Sequence, residues 1–170
     1  MTLTTHAIFG AGLASLVPQH PIAAFSLGFV SHFVLDAIPH WDYDILSESV
    51  DPDFGARVTF DRRLFLDAIR IGGDMCLGII LGLLLFGFFE HQNFYGIFVV
   101  FCGAIGAIVP DALQFVYAHF KREPLVSLQV FHQWIHTNIR LRGRPLLGVS
   151  LQIVFTALSV ALFWGIINKL

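Results

Sequence analysis

Histidines and aspartates recur in this chain at spacings that suit metal chemistry. His32 and Asp36 stand four residues apart, so on a helix both side chains leave one face. Imidazole nitrogen with carboxylate oxygen is a common ligand pair for zinc, manganese or iron. The same pair also serves as a hydrogen-bonded tie between two helices. His132 and His136 repeat the spacing as HxxxH, a competent two-nitrogen clamp. Gln133, Trp134 and Ile135 fill the interval, so the glutamate of HExxH is missing and a zincin-type protease is not indicated. On an amphipathic helix the plainer alternative is two histidines facing water or headgroups. Just beyond Asp36, the run Pro39-His40-Trp41-Asp42-Tyr43-Asp44 adds His40, Asp42 and Asp44 as further candidate ligands. Asp44 equally suits a solvated loop, and Trp41 and Tyr43 suit interface anchoring.

Other ionisable groups sit inside apolar stretches. Asp67, Arg70 and Asp74 fall within about 60° of one another at 100° per residue, a polar stripe along one helix. The apolar run from 75 to 89 is only about 22 Å long as a helix, so a spanning helix must draw Asp74 into the membrane zone. Carboxylates there are costly and face a partner or a cavity; a buried pair with Arg70 is the structural alternative. Asp111 follows Pro110, with Gln114 on the same face. A proline inside a membrane helix frees a carbonyl, a frequent device near functional sites. His6 opens a glycine-bearing apolar segment and matters in combination with the others. His20, His91 and His119 read as interface or loop residues.

The elements that must position these groups are membrane helices. Of 170 residues, 56% are hydrophobic and 13% charged, with a mean hydropathy of +0.74. Soluble domains carry about 25% charged residues. Length allows one domain. The net charge of −2 and the absence of a basic run exclude nucleic-acid binding. Helices are expected at about 3–17, 21–38, 62–90, 93–119 and 146–168, with an amphipathic segment at 124–142 along the membrane surface or capping the bundle. The expected fold is therefore an all-α integral membrane protein of about five transmembrane or membrane-embedded helices plus one surface helix. Residues 40–63, rich in acid, read as a loop that includes Asp51, Asp53 and Asp61. Gly78 with Gly82 and Gly103 with Ala107 read as helix-packing contacts. Cys76 and Cys102 read as small core residues, and the eighteen phenylalanines as lipid-facing bulk. The N-terminus lacks the basic stretch of a cleaved leader, so the first helix is expected to remain.

Basic residues set an expected orientation. Arg57, Arg62, Arg63 and Arg70 precede the third long segment, Lys121 and Arg122 follow the fourth, and Arg140, Arg142 and Arg144 precede the last. The opposite ends, Pro18–Pro21 and Glu90–Asn93, carry no basic side chain except Lys169 at the terminus. The positive-inside rule then puts the N-terminus and the 40–63 and 120–145 segments in the cytoplasm. On that topology His6, His32, Asp36, Asp42, Asp74, Asp111, His132 and His136 all gather at or just below one membrane face.

Thr5-His6 with Gly10, His32-xxx-Asp36 and Pro39-His40-Trp41-Asp42-Tyr43-Asp44 together resemble the bacterial membrane-bound metal-dependent hydrolase-like family, itself similar to zinc-dependent phospholipase C. The resemblance covers the first 45 residues and, more loosely, His132 to Thr137. There the family's His-Arg and His-Ser pairs are replaced by His132-Gln133 and His136-Thr137. It implies His6, His32, Asp36 and Asp42 as metal ligands and a bacterial inner membrane as location. The resulting expectation is a hydrolase holding a divalent metal, zinc first and manganese or iron next, on His6, His32, Asp36, Asp111, His132 and His136. Asp74 or Asp42 would orient water or act as base. The substrate would be a phosphoester or related bond in a membrane lipid or lipid-linked molecule. Two alternatives stand beside it. One is a proton-coupled carrier using Asp74 and Asp111, which with five helices would need to form a homo-oligomer. The other is a scaffold whose polar residues only pack helices.

Overall fold

A computed structural model describes residues 1–51, 55–58, 61–88, 93–139, 141 and 143–169. Asp53, Glu90, His91, Arg140 and Arg142 lie outside the described residues. The fold is a helical bundle. Helix α1 covers Leu3–Ser15 and α2 Pro21–Asp36. Helix α3 covers Arg62–Gly82 and runs on as a π-helical segment, Leu83–Phe88. Then follow α4 (Phe94–His119), α5 (Leu125–Ile135) and α6 (Pro145–Ile167).

Local chemistry explains most of the ends. Pro21 and Pro145 occupy the first turns of α2 and α6, where a missing N–H costs nothing. Asp61 and Asn93 cap α3 and α4 by accepting from Arg63 N and Gly96 N, each at 2.8 Å. Pro39 disfavours helical backbone at the residue before it, and α2 has ended by then.

Among the described residues, three helical stretches are long and apolar enough to cross a membrane: Arg62–Phe88, Phe94–His119 and Pro145–Ile167. Helices α1 and α2, with 13 and 16 residues, reach only about 20 and 24 Å. They form a hairpin packed on α4, with α1 inside the bundle and α2 exposing Ile22, Val30 and Val34 on its outer face. Helix α1 touches α2, α3, α4 and α6 and is buried almost all round. Helices α3 and α6 turn mostly small side chains inward, Phe163 excepted, and apolar bulk outward. Helix α3 buries Gly78 and Gly82 while exposing Leu77, Ile80 and Leu84. Helix α6 buries Gly148, Gln152 and Ser159 while exposing Ile153, Leu158 and Leu162. Close backbone approach with apolar bulk outside is how helices associate in lipid. Cys76, expected inside, is exposed on α3, and both cysteines are free.

Two segments differ from the sequence reading. Within the expected 40–63 loop, Glu48–Asp51 (β1) pairs antiparallel with Gly55–Val58 (β2), Glu48 opposite Val58 and Asp51 opposite Gly55. Helix α5 stops at Ile135 rather than continuing toward 142, because His136 turns to extended backbone. The amides beyond it find carbonyls elsewhere: Thr137 N donates to Asp36 O at 2.8 Å and Leu141 N to His40 O at 3.0 Å. Backbone groups must be paired somewhere, and here the partner is the end of α2.

Candidate metal centre

Glycines bring the site's helices together. A Cβ on Gly10 of α1 would lie 2.5 Å from the carbonyl oxygen of Gly103 in α4, and one on Gly103 would lie 2.5 Å from Ala14 Cβ. At that separation, the first turns of α1, the last turns of α2 and the stretch of α4 around Pro110 meet. Their inward side chains are His6, His32 with Asp36, and Asp111. Helix α5 packs against α2 and α4 and adds His132, and the chain after it adds His136. The segment after α2 adds His40 and Asp42.

His32, Asp36, Asp111 and His132 offer four ligand atoms that all lie within 4.8 Å of one another. From His32 Nε2 the distances are 3.1 Å to Asp36 Oδ2, 3.4 Å to Asp111 Oδ1 and 3.4 Å to His132 Nε2. His132 Nε2 lies 2.9 Å from Asp36 Oδ2 and 3.9 Å from Asp111 Oδ1. Ligands at the 2.0–2.1 Å bond lengths of tetrahedral zinc stand about 3.3 Å apart, inside this range of edges. On its other side, His32 Nδ1 donates to Ala107 O at 2.8 Å. Pro110 crowds the turn of α4 that holds this carbonyl. The bond places a proton on Nδ1 and leaves Nε2 facing the two carboxylates, the usual outer-shell arrangement of a ligating histidine.

A second group shares Asp36. Asp36, His40 and His136 also offer ligand atoms within 4.8 Å of one another. Both histidines are oriented as His32 is. His40 Nδ1 donates to Ile38 O at 2.6 Å, and His136 Nδ1 to Thr137 O at 3.0 Å. Their Nε2 atoms turn to Asp42 Oδ2, at 3.1 and 3.6 Å. The Met1 amino group lies 3.2 Å from Asp36 Oδ1 and 2.6 Å from Asp42 Oδ1. Burial pushes the His136 pKa down, keeping the imidazole neutral and its lone pair available. Burial works to raise Asp42, yet the hydrogen bond with His40 and the nearby amino group hold it below the usual carboxylate range.

The centre is closed on one side. His6 and His32 are fully buried, Asp36 and His132 nearly so, whereas Asp111 keeps 31% of its side chain exposed, Asp42 17% and His136 15%. Access is therefore past Asp111, Asp42 and His136. His6 stacks on His32, centroids 4.1 Å apart, and its Nε2 lies 3.1 Å from Asp36 Oδ1. It belongs to neither four-atom nor three-atom group and orients Asp36. His6 Nδ1 and His132 Nδ1 are buried without a hydrogen-bond partner among the described residues. Gln114 donates to Asp111 Oδ1 at 2.8 Å, and Gln129 of α5 donates to Gln114 Oε1 at 3.2 Å. These buried His and Asp groups can hold a metal ion.

Asp74 is not brought into either group. Its carboxylate accepts from Leu3 N at 2.6 Å, Thr4 N at 3.3 Å, Thr4 Oγ1 at 2.6 Å and Tyr43 Oη at 3.4 Å. It satisfies the free amides that start α1. Burial and the Asp74 charge push the Tyr43 pKa up, so the phenol stays a donor. Asp67 is likewise buried, taking Leu46 N at 3.1 Å and Ser47 N at 2.7 Å, with Arg70 at 4.0 Å. Arg70 also lies over the Tyr43 ring, 5.6 Å from its centroid. The α3 stripe thus fastens the segment that carries His40 and Asp42.

Sequence reasoning missed Gln152 as a positioning residue. Its Oε1 accepts from Thr2 N and Thr2 Oγ1, both at 3.0 Å, and its Nε2 donates to Trp41 O at 2.7 Å. A lone amide inside the otherwise apolar α6 was the available signal. Comparison of the chain with family models, with curated proteins and with solved structures finds no match.

Proposed function

We propose that the protein is a membrane-embedded metal-dependent hydrolase that cleaves a phosphoester, or a related bond, of a lipid or lipid-linked substrate. One observation carries this reading. The Nε2 atoms of His32 and His132 and the oxygens of Asp36 and Asp111 converge on a common centre, while the His32 Nδ1–H is spent on Ala107 O. Protons on both Nε2 atoms would also satisfy the carboxylate oxygens, but they would set two N–H donors 3.4 Å apart in a buried site, with His32 an imidazolium and His132 Nδ1 left without a partner among the described residues. A divalent cation answers all four atoms at once. Two imidazoles and two carboxylates at near-tetrahedral spacing favour zinc, with manganese or iron as the next choices. The resemblance of the His6, His32-xxx-Asp36 and Pro39–Asp44 motifs to membrane-bound metal-dependent hydrolases supports the same chemistry.

Such an ion, when bound, lowers the pKa of a coordinated water and polarises a phosphoryl oxygen. The chain's own part is to hold and orient. His6 fixes Asp36 between the two groups, and Gln114 fixes Asp111. Asp42 is the carboxylate on the accessible side, beside His40 and His136, and would take the proton of the attacking water; Asp74 lies outside both groups. In the reaction the water oxygen bonds to phosphorus and the P–O bond to the alcohol breaks. The proton passes through Asp42 to the alcohol oxygen. The arginine distribution supports a cytoplasmic site in a bacterial inner membrane. A proton carrier draws less support, since four donors satisfy Asp74 and Asp111 is bonded to Gln114.

The test is turnover in reconstituted vesicles containing phosphatidate and phosphatidylglycerol. We expect release of phosphate or headgroup that needs added zinc or manganese and stops with a chelator. A metal-loaded protein that releases nothing from either lipid contradicts the reading.

A further inference from the structure

A groove lies on the side of α1 away from α2, walled by Leu81 and Leu85 of the α3 limb and by Ile153 and Val160 of α6, with Ile8 as its floor. Its volume is about 540 Å³, within the range of small-molecule sites. At one end Thr2, Thr4, Thr5 and Gln152 line it, their polar atoms bonded to one another, to Asp74 and to the carbonyl of Trp41, which stands between His40 and Asp42. The other end is closed, because Trp164 Nε1 donates to Leu85 O at 3.2 Å. That indole reaches a carbonyl in the π-helical segment, where the ordinary ladder is interrupted. From Gln152 to Trp164 the groove runs about 18 Å along α6, close to the depth of one leaflet, about 15 Å of a ~30 Å core. Its outer rim joins the exposed apolar faces of α3 and α6 around Ile80, Ile153 and Leu158.

We infer that this groove holds one hydrocarbon chain of the phospholipid substrate, entering from the Thr2–Thr5–Gln152 end, so that the headgroup lies at the same end of the bundle as the Asp36 centre. The inference rests on the hydrolase reading for the phosphate, but chain capture itself needs neither metal nor turnover. The occupant follows from continuity with the lipid-facing surface and from the almost wholly apolar lining of the groove. Water would be expelled from the apolar lining, and an extended protein segment would leave its backbone unpaired there. Ala157 and Ala161 keep the groove open, since both line it with small side chains.

The experiment uses the full chain in phosphatidylglycerol vesicles carrying a trace of phosphatidylglycerol with a diazirine near the end of one acyl chain. Photolabelling is expected on Leu85, Val160 and Trp164, in competition with unlabelled lipid, and is expected to be lost in Ala157→Trp with metal content unchanged. The milder Ala161→Val, which threatens folding less, is expected to lower it. Uniform, non-competing label on Leu158 and Leu162, indifferent to both substitutions, overturns the inference. An unlabelled groove in a protein that still hydrolyses lipid removes the groove alone. A labelled groove in a protein without metal or turnover removes the hydrolase reading alone.

Discussion

Two clusters of carboxylates lie in the apolar body of this protein, and they are resolved in opposite ways. Around Asp74 and Asp67 on α3, each oxygen meets a donor: the amides of Leu3, Thr4, Leu46 and Ser47 and the hydroxyls of Thr4 and Tyr43. Around Asp36 and Asp111, the neighbours are imidazole nitrogens, and three of those rings have given their other N–H to a backbone carbonyl. The first cluster is complete as a hydrogen-bonded structure. In the second, imidazole Nε2 atoms and carboxylate oxygens converge on one another, with the Met1 amino group and Gln114 Nε2 as donors beside them. An intramembrane carboxylate is therefore not by itself a functional signal; what decides is whether the groups around it bring protons or lone pairs.

Asp36 offers the largest test of that contrast. Asp36→Asn removes the oxygen charge shared by both histidine groups, so metal binding and lipid turnover are expected to fall to background. The readouts are metal content and vesicle hydrolysis. Retention of metal would break the distinction between the two clusters. A smaller effect is expected one shell out. Gln114→Leu frees Asp111 to rotate, and loss of such an outer-shell partner weakens metal binding about 10–100-fold, measurable by competition with a chromogenic chelator. The complementary change lies on α3. Asp74→Ala should leave metal content unchanged while lowering stability by about 2 kcal/mol, the scale of hydrogen bonds to a charged group. Thermal unfolding in detergent reads this. Metal loss in Asp74→Ala at unchanged stability would move Asp74 into the site.

Much of this arrangement was legible in the chain. Apolar runs bounded by Pro21, Asp61, Asn93 and Pro145 gave the helices to within a few residues, because caps and prolines act locally. HxxxD at 32–36 also places its two side chains together by helical geometry alone. What the chain could not display was non-local. The histidines of HxxxH part company at His136, since the amide of Thr137 pairs with the carbonyl of Asp36 a hundred residues earlier. His40 stood out only as one of several candidates after α2. The use of Asp74 depends on α1 ending against α3, a docking set by Gly78, on which a Cβ would lie 2.6 Å from Thr4 Cα. A stripe of Asp67, Arg70 and Asp74 looks the same in sequence whether its oxygens meet amides or a metal.

The central claim is that the Asp36 cluster binds a divalent metal. Its most direct test is the metal content of the detergent-purified protein by plasma mass spectrometry, beside His32→Ala and His136→Ala. The expected result is at least one transition-metal ion per chain, lost or sharply reduced in His32→Ala and reduced in His136→Ala. A wild-type protein that carries no metal and takes up neither zinc nor manganese when offered would contradict it, and would leave the cluster as a proton-sharing tie between helices.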